Sequence, residues 1–395
     1  MSTRTGQPTR RSADRKAQIL TAAAECFHRA GYHATSMEDI ASAVGITAGG
    51  LYRHFRGKQE LLSRVLLDGL ELYSEAMGEA DDLDTLISSL ARFSLDNRML
   101  PMLLERESVN LSEQDLAAVN KRHSAHAATL GAAIRARRPE LAEWEGWLLG
   151  WGVIAVLSSP SYHHRHLPRP HFEELLSAQA TALWRTGALP AEGGRPAARS
   201  GSGLAHVSRR ESLLAAAIPL FKARGFQMVS MENIGAAAGI AGPSIYNHFA
   251  SKAEILATAL HREAEVLHFS LAKALTESSA ADQALEGVLR SYATLCGTAG
   301  SAIPLLAGQL GFLPADEQER SHRAQVDFVT ECCALLRASR TELSEADARV
   351  LMPSALTMIM FLSRLLAVRE TTFPTPLASM AIDSLGVRSQ TPSTA

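Results

Sequence analysis

A segment of 44 residues occurs twice in this chain of 395, 194 positions apart and without a gap. Ile19–Leu62 aligns with Leu213–Leu256 at 18 identical positions. A repeat of this size means two copies of one folding unit, so the architecture has to be a tandem one. The length gives each copy a domain of ordinary size with its own core.

Composition selects the kind of element. Apolar residues make up 46% and charged residues 20% of the chain, a globular balance, and aromatics are only 6%. Ala, Leu, Glu and Arg are plentiful, which favours helix, and no alternating Val/Ile/Thr run suggests a sheet. The expected fold class is therefore all-α. Apolar periodicity predicts helices at about 14–30, 36–43, 48–55, 58–77, 83–97, 99–109, 112–137, 140–158 and 170–186. The order returns at about 209–224, 230–237, 243–249, 252–277, 280–298, 302–312, 315–339, 344–370 and 376–385. Gly31 stops the first helix, Ser112 with Asp115 opens the seventh, and Pro139 parts the seventh from the eighth.

The chain then divides into a basic tail (1–13), a head (14–60), a helical body (61–187), a linker (188–206), a second head (207–254), a second body (255–386) and a tail (387–395). The linker is rich in Gly, Pro, Ala and Ser and has no apolar period. Its 19 residues span at most about 65 Å and relax to roughly 24 Å, which leaves room for the two halves to pair.

The formal net charge of −2 is unevenly spread. Residues 1–60 carry nine Lys/Arg against five Asp/Glu, and residues 204–254 carry five against three, so the remainder stands at −8. The basic parts coincide with the repeated heads, as contact with nucleic acid requires. Cys26, Cys296, Cys332 and Cys333 form no C-x-x-C pair and read as buried, reduced thiols of a cytoplasmic protein. The N-terminus is polar and basic, without a signal-peptide core. Val350–Val368 has the apolarity of a membrane span, but Pro353, Ser354, Thr357, Ser363 and Arg364 interrupt it, and it reads as a buried interface helix.

Within the first head, a short helix ends at Gly45, where the chain needs a left-handed residue. Thr47 is placed to cap the next short helix. Ile40, Ala41, Val44, Ile46, Leu51 and Phe55 supply the apolar contacts that lock the two together, leaving Ala48, Gly49, Gly50, Tyr52, Arg53 and His54 outward. That is a helix-turn-helix, whose second helix enters the major groove N-terminus first.

The run Phe27-x3-Gly31-Tyr32, Thr35-Ser36-x3-Ile40-Ala41, Gly45-Ile46, Leu51-Tyr52-x-His54-Phe55-x2-Lys58 resembles the signature of TetR-type transcriptional regulators. The second copy resembles it through Phe221, Gly225-Phe226, Ser230, Ile234, Gly239-Ile240, Ile245-Tyr246-x-His248-Phe249 and Lys252. With two copies in one chain, the whole is similar to tandem TetR-type repressors of actinobacteria that control mammalian-cell-entry and lipid-metabolism operons. The resemblance implies a ligand-responsive DNA-binding repressor, each unit being a three-helix head on a helical body that binds ligand and dimerises. It implies backbone contacts from Ser36, Tyr52, His54 and Lys58, with Thr35 adding a hydroxyl near the phosphates. Thr47, Ala48, Gly49, Gly50 and Arg53 would meet bases or nearby phosphates. In the second head the matching positions are Ser230, Ala241, Gly242, Pro243, Ser244, Tyr246, Asn247, His248 and Lys252. Arg53 suits bidentate contact to guanine and Asn247 contact to adenine. Arg4, Arg10 and Arg11 read equally as a solvated tail or as minor-groove contacts.

The two heads differ where they would read DNA. Thr47-Ala-Gly-Gly becomes Ala241-Gly-Pro-Ser, and Arg53 becomes Asn247. Ala241 cannot cap, a loss of about 1 kcal/mol that Pro243 partly offsets by presetting the backbone. Pro219 stands where the first copy has Glu25 and is expected to kink or shorten its helix, at roughly 3 kcal/mol unless the packing adapts. Unlike heads predict an asymmetric operator read by an intramolecular pseudo-dimer. The alternative is a symmetric homodimer that relies on the first head.

For the bodies, the resemblance implies pairing through the last two helices of each half, and Trp144, Trp147 and Trp151 form an aromatic stripe on one of them. It also implies a small-molecule effector, of fatty-acyl, coenzyme-A-linked or sterol-like kind. Arg92, Glu105 and Arg106, with Glu107, read as polar anchors of a pocket or as an internal ion-pair group. Pro304–Phe312 is almost wholly apolar and reads as core or as the wall of a hydrophobic site. The run Tyr162-His163-His164-Arg165-His166, with His171, has imidazoles but no thiolate or paired carboxylate, and prolines mark it as a loop, so no metal is expected. An enzyme is the competing class, but no phosphate-cradling loop, G-x-S-x-G elbow or H-E-x-x-H helix is present in the sequence.

Overall fold

The structure, a computed structural model, describes all residues except 1–9, 79–81, 164, 166, 188, 190–194, 197–205, 299, 304, 306–308, 368–370, 373 and 388–395. Arg4, His164, His166, Val368, most of the linker, part of 304–312 and nearly all of the C-terminal tail therefore lie outside the described residues. The chain divides into two compact units, residues 1–79 with 97–126 and residues 80–96 with 127–395.

The first unit begins with α1 (Arg10–Ala30), α2 (Met37–Ala43) and α3 (Ala48–Tyr52), followed by α4 (Lys58–Gly78), α6 (Met99–Glu107) and the first part of α7 (Glu113–Arg137). Helix α1 starts at Arg10, so the last residues read as tail are helical. Apolar residues at helical spacing (Ile19, Ala23, Phe27) meet Ile40, Leu51, Phe55, Leu62 and Leu66 in a closed core. Gly31 and Gly45 have φ of 82° and 67° at the ends of the first two helices, the left-handed conformation that stops a helix.

The second unit holds α5 (Leu83–Asp96), the rest of α7, α8 (Glu143–Ser158), α9 (Arg169–Trp184) and the whole second copy. That copy runs α10 (Arg209–Arg224), α11 (Met231–Ala238), α12 (Gly242–Ile245), α13 (Lys252–Glu277), α14 (Ala281–Cys296), α15 (Ala315–Ser339), α16 (Glu345–Ala367) and α17 (Pro374–Ser384). Helix α10 is continuous across Pro219. Pro219 and Ala215, whose carbonyl loses its donor, are both on the exposed side, so water can take over the lost bond and the expected shortening does not occur there. Both recognition helices are shorter than their apolar pattern predicts, since the chain turns out after Tyr52 and after Ile245.

Helix α8 packs on α16, and α9 on α17, so the last two helices of each half form one bundle. Its seams are specific. The Ser159 and Ser354 hydroxyls meet at 2.6 Å in a buried contact, and Gln179 Nε2 donates to the carbonyl of Leu351 at 2.9 Å. The Thr186 hydroxyl donates to Asp383, and His171 Nε2 meets Asp347 Oδ1 at 2.6 Å. Trp151 lies 5.5 Å from the Phe361 ring. Trp144 and Trp147 are only half-buried, so the aromatic stripe enters the bundle at one end. Helix α16 is long and apolar enough to cross a membrane, but 72% of that stretch is buried inside the protein, as its interrupting polar residues indicate.

Helices α7 and α8 approach backbone to backbone. A Cβ on Gly150 would stand 2.3 Å from the Ala127 carbonyl oxygen, and one on Gly131 would stand 2.6 Å from that of Gly146. Only glycine permits this crossing. Within the linker, Arg195–Pro196 pairs antiparallel with Thr371–Thr372, a bridge that composition gave no reason to expect. All four cysteines are free and buried.

Candidate nucleic-acid interface

In the first head, Thr47 is extended and its hydroxyl oxygen accepts from Gly50 N at 3.1 Å, capping α3 as expected. Accepting leaves its O–H proton available for an outside acceptor. Gly49 has nothing within 4 Å of where a Cβ would be, so α3 begins with an open, nearly side-chain-free face. Tyr52 is 53% exposed, Arg53 is exposed, and His54 is half-exposed. Among the described residues, no hydrogen bond or ion pair engages the Arg53 guanidinium. These groups, with Ala48 and Gly50, form one surface at the N-terminus and outer side of α3.

The second head repeats the placement with other chemistry. Ala241 makes no cap bond, and Pro243 stands in the first turn of α12. Ser244 accepts a long contact from Arg209 at 3.4 Å. Tyr246 is 53% exposed, like Tyr52, while Asn247 is exposed and His248 half-exposed. Gly235 occupies the place of Ala41, and a Cβ there would meet Ile245 Cδ1 at 2.2 Å and the Ile240 carbonyl at 2.8 Å. Glycine at this position therefore leaves room for the Ile245 side chain.

Of the residues assigned to phosphate contact, Thr35 is buried, while Ser36 and Ser230 stay at the surface as helix caps. Thr35 is 2% exposed, and its hydroxyl lies 2.8 Å from the Gly31 carbonyl and 3.2 Å from that of Cys26. Val229 fills the same place at 1%, so this exchange removes an internal bond and not a phosphate ligand. Ser36 caps α2: its oxygen accepts from Asp39 N at 3.1 Å while its proton goes to Asp39 Oδ2 at 2.7 Å. Those bonds hold the Asp39 carboxyl below its usual range. Ser230 caps α11 through Asn233 N at 3.2 Å.

Lys58 and Lys252, half-exposed, are engaged within their own heads. Lys58 Nζ donates to the carbonyls of Tyr32 (2.6 Å) and Thr35 (2.8 Å), with a weak third contact to His33 (3.5 Å). Lys252 does the same to Phe226 (2.7 Å), Gln227 (3.0 Å) and Val229 (2.8 Å). Each ammonium also lies over an aromatic ring, Tyr32 at 4.4 Å and Phe226 at 4.6 Å. An ammonium has three donors, and here they hold the turn between the first two helices of the head.

The sequence reading missed the basic pair at the start of each head. Lys16 lies 5.5 Å from the Phe55 ring, and Arg210 lies 3.9 Å from the Phe249 ring. Their registry across the repeat, together with Arg15 and Arg209, was the available signal.

The anchors proposed for a pocket are placed elsewhere. Arg92 is at the surface, 3.7 Å from Glu173. Arg106 donates to the carbonyls of Phe27 and His28 at the end of α1, and Glu107 beside it, 3% exposed, accepts from Tyr32 N at 3.2 Å. That pair fastens α6 to the head. In the second copy Gln309 reaches the Phe221 carbonyl at 3.3 Å, and Phe312 stacks on Phe226. Glu105 is half-buried. None of Arg92, Glu105 and Arg106 lines the partly open cavity of about 120 Å³, which lies in the second body among α13, α14, α15 and α16. In the histidine run, His163 stacks on Phe172 and His171 is paired with Asp347.

Comparison with known proteins places the repeat. The family described as "Bacterial regulatory proteins, tetR family" matches residues 19–65 and 213–259. The HTH-type transcriptional repressor KstR2 of Mycolicibacterium smegmatis is 41% identical over 59 residues, 15% of this chain and 29% of that protein. The HTH-type transcriptional activator FasR of the same organism is 35% identical over 85 residues, 22% of this chain and 34% of that protein. The chain thus spans about a third of the length of these curated relatives. A TetR-family regulator from Bordetella parapertussis superposes with a TM-score of 0.42 at 17% identity, over 45% of this chain and 95% of its own. The two matched segments each coincide with a helix-turn-helix head, so the similarity to the tetR family lies in the two heads.

Proposed function

We propose that this protein is a sequence-specific DNA-binding regulator of transcription that reads an asymmetric operator with two unlike heads. The observation that carries the reading is the difference between the two exposed recognition surfaces. Thr47, Ala48, Gly49, Gly50 and Arg53 stand on one, and Ala241, Gly242, Pro243, Ser244 and Asn247 stand on the other. Identical heads select palindromes, and unlike heads select unlike half-sites. Arg53 is assigned to guanine and Asn247 to adenine, with Tyr52, His54, Tyr246, His248 and the Thr47 hydroxyl on the backbone. The bundle of α8, α9, α16 and α17 supports an intramolecular pseudo-dimer, in which one chain supplies what two subunits supply elsewhere.

The proposed mode is repression by occupancy of an operator that overlaps a promoter. A small molecule bound in a body relieves it through its different affinity for the two states. Such a reader of chromosomal DNA works in the cytoplasm. The test is selection from random DNA with the full-length protein, followed by the mass of the purified complex. A non-palindromic site holding one chain is expected. A palindrome holding two chains would favour a symmetric homodimer built on the first head.

A further inference from the structure

We infer that the cavity of the second body takes an uncharged, ring-sized, mainly apolar molecule bearing one hydrogen-bonding group, and not a fatty acid, acyl coenzyme A or sterol. The inference rests on the regulator reading for its biological meaning but not for its chemistry.

Size is the first constraint. Drug-sized ligands occupy pockets of roughly 300–1,000 Å³, whereas a dry apolar cavity of about 150 Å³ takes up benzene. At about 120 Å³ this cavity belongs with the second kind. Its wall is formed largely by Leu267, Phe328, Leu356 and Met360.

Charge is the second constraint. No Lys or Arg is among the described lining residues, and the carboxylate of Glu263 is. Glu263 is satisfied internally, accepting from Ala302 N (2.5 Å), Ile303 N (2.8 Å) and the Ser301 hydroxyl (3.2 Å). The charge of Glu263 is already offset by Lys222. Of the two imidazoles in the wall, His261 is held by Glu317 at 3.0 Å and His268 by the Ala264 carbonyl at 2.8 Å. A ligand carboxylate or phosphate would therefore be buried beside a like charge with no Lys or Arg in the described lining to pair it.

The third observation points to a ligand directly. Ser321 lines the cavity, is 5% exposed, and its hydroxyl has no hydrogen-bond partner. A buried hydroxyl left unmatched costs free energy that a phenol-type or carbonyl-type group would recover. The cavity is also walled by Tyr162, which belongs to the first half, so it is complete only when the two halves pair.

The experiment is calorimetric titration and thermal melting of the full chain without DNA, using toluene, phenol, octanoate and octanoyl coenzyme A as probes. Phenol and toluene are expected to bind once per chain and raise the Tm, and the two anions to do neither. Ser321→Ala should weaken phenol about tenfold and leave toluene unchanged, since only phenol uses the hydroxyl. Ala324→Phe, which fills the cavity, should abolish both. The inference is overturned if an anion binds as tightly as phenol, if neither ring binds up to its solubility, or if ring binding ignores both substitutions. Because no DNA is present, a chain that takes up phenol but selects no DNA would refute the regulator reading alone.

Discussion

Burial lowers the pKa of Lys58 and Lys252, and the nearby Glu107 draws that of Lys58 partly back. Both remain ammonium donors to the turn carbonyls. Lys58→Met should therefore destabilise the first head by about 2 kcal/mol, the worth of a charge-assisted bond. It should leave the slope of log K against log salt as in wild type. A slope smaller by about 1 would instead mean that the lysine swings out to a phosphate. Arg53→Ala should leave the Tm alone, weaken operator binding by about 1–3 kcal/mol and relax preference at one base position, as read by binding to single-base operator variants. A third residue sets a pH dependence. His126 is buried, and its Nε2 lies 2.7 Å from the Ser74 hydroxyl, which itself donates to the Leu70 carbonyl. That network assigns the proton to Nε2 and leaves Nδ1 buried without a partner. Burial, then the Arg122 charge, pushes the imidazole pKa down to about 4, against a smaller opposing pull from Glu71. A lowered histidine pKa stabilises the fold above the ordinary value of 6.5 and loses that contribution as pH falls towards 4. Melting between about pH 7 and pH 4 should show an acid loss on the order of 3 kcal/mol, which His126→Leu flattens.

At the scale of elements, glycines separate structure from recognition. Gly150→Ala drives a methyl into the Ala127 carbonyl and should cost about 1–3 kcal/mol, seen as a lower Tm. Gly49→Ala meets nothing and should stabilise α3 by roughly 0.5–1 kcal/mol, while altering DNA binding because the added methyl stands on the open face. Helix positions were legible because spacing, caps and stops all agree locally: Gly31, Gly45 and Thr47 do what their chemistry dictates. The direction of side chains that begin or link elements was not legible. Lys58, Thr35 and Arg106 are polar residues whose partners are backbone carbonyls, and no side-chain pattern announces a carbonyl. The repeat gave one clue that points inward: Val229 replaces Thr35, and an apolar residue serves an interior position better than a phosphate-facing one. The Arg195–Pro196 bridge had no sequence signal, since its bonds are made by backbone alone.

For the whole molecule, the recurring order of helices across two diverged halves was visible from the repeat, whereas the site of the cavity was not. A cavity depends on which side chains fail to fill a volume, and the apolar run of the second body reads equally well as solid core. The contacts of Ser159 with Ser354 and of Gln179 with Leu351 join residues far apart in one covalent chain. A tether of this length holds its ends at an effective concentration of order millimolar, far above that of free subunits in a cell. Assembly of the bundle is then independent of dilution, and, with one chain per operator as proposed above, occupancy at low concentration should rise in direct proportion to the number of chains and not as its square. Inheritance changes as well. In a symmetric dimer every substitution arrives twice, once on each side of the axis, whereas in the pseudo-dimer proposed above it arrives once, so one half would be able to drift to a new operator half-site or lose a pocket while the other keeps the old one.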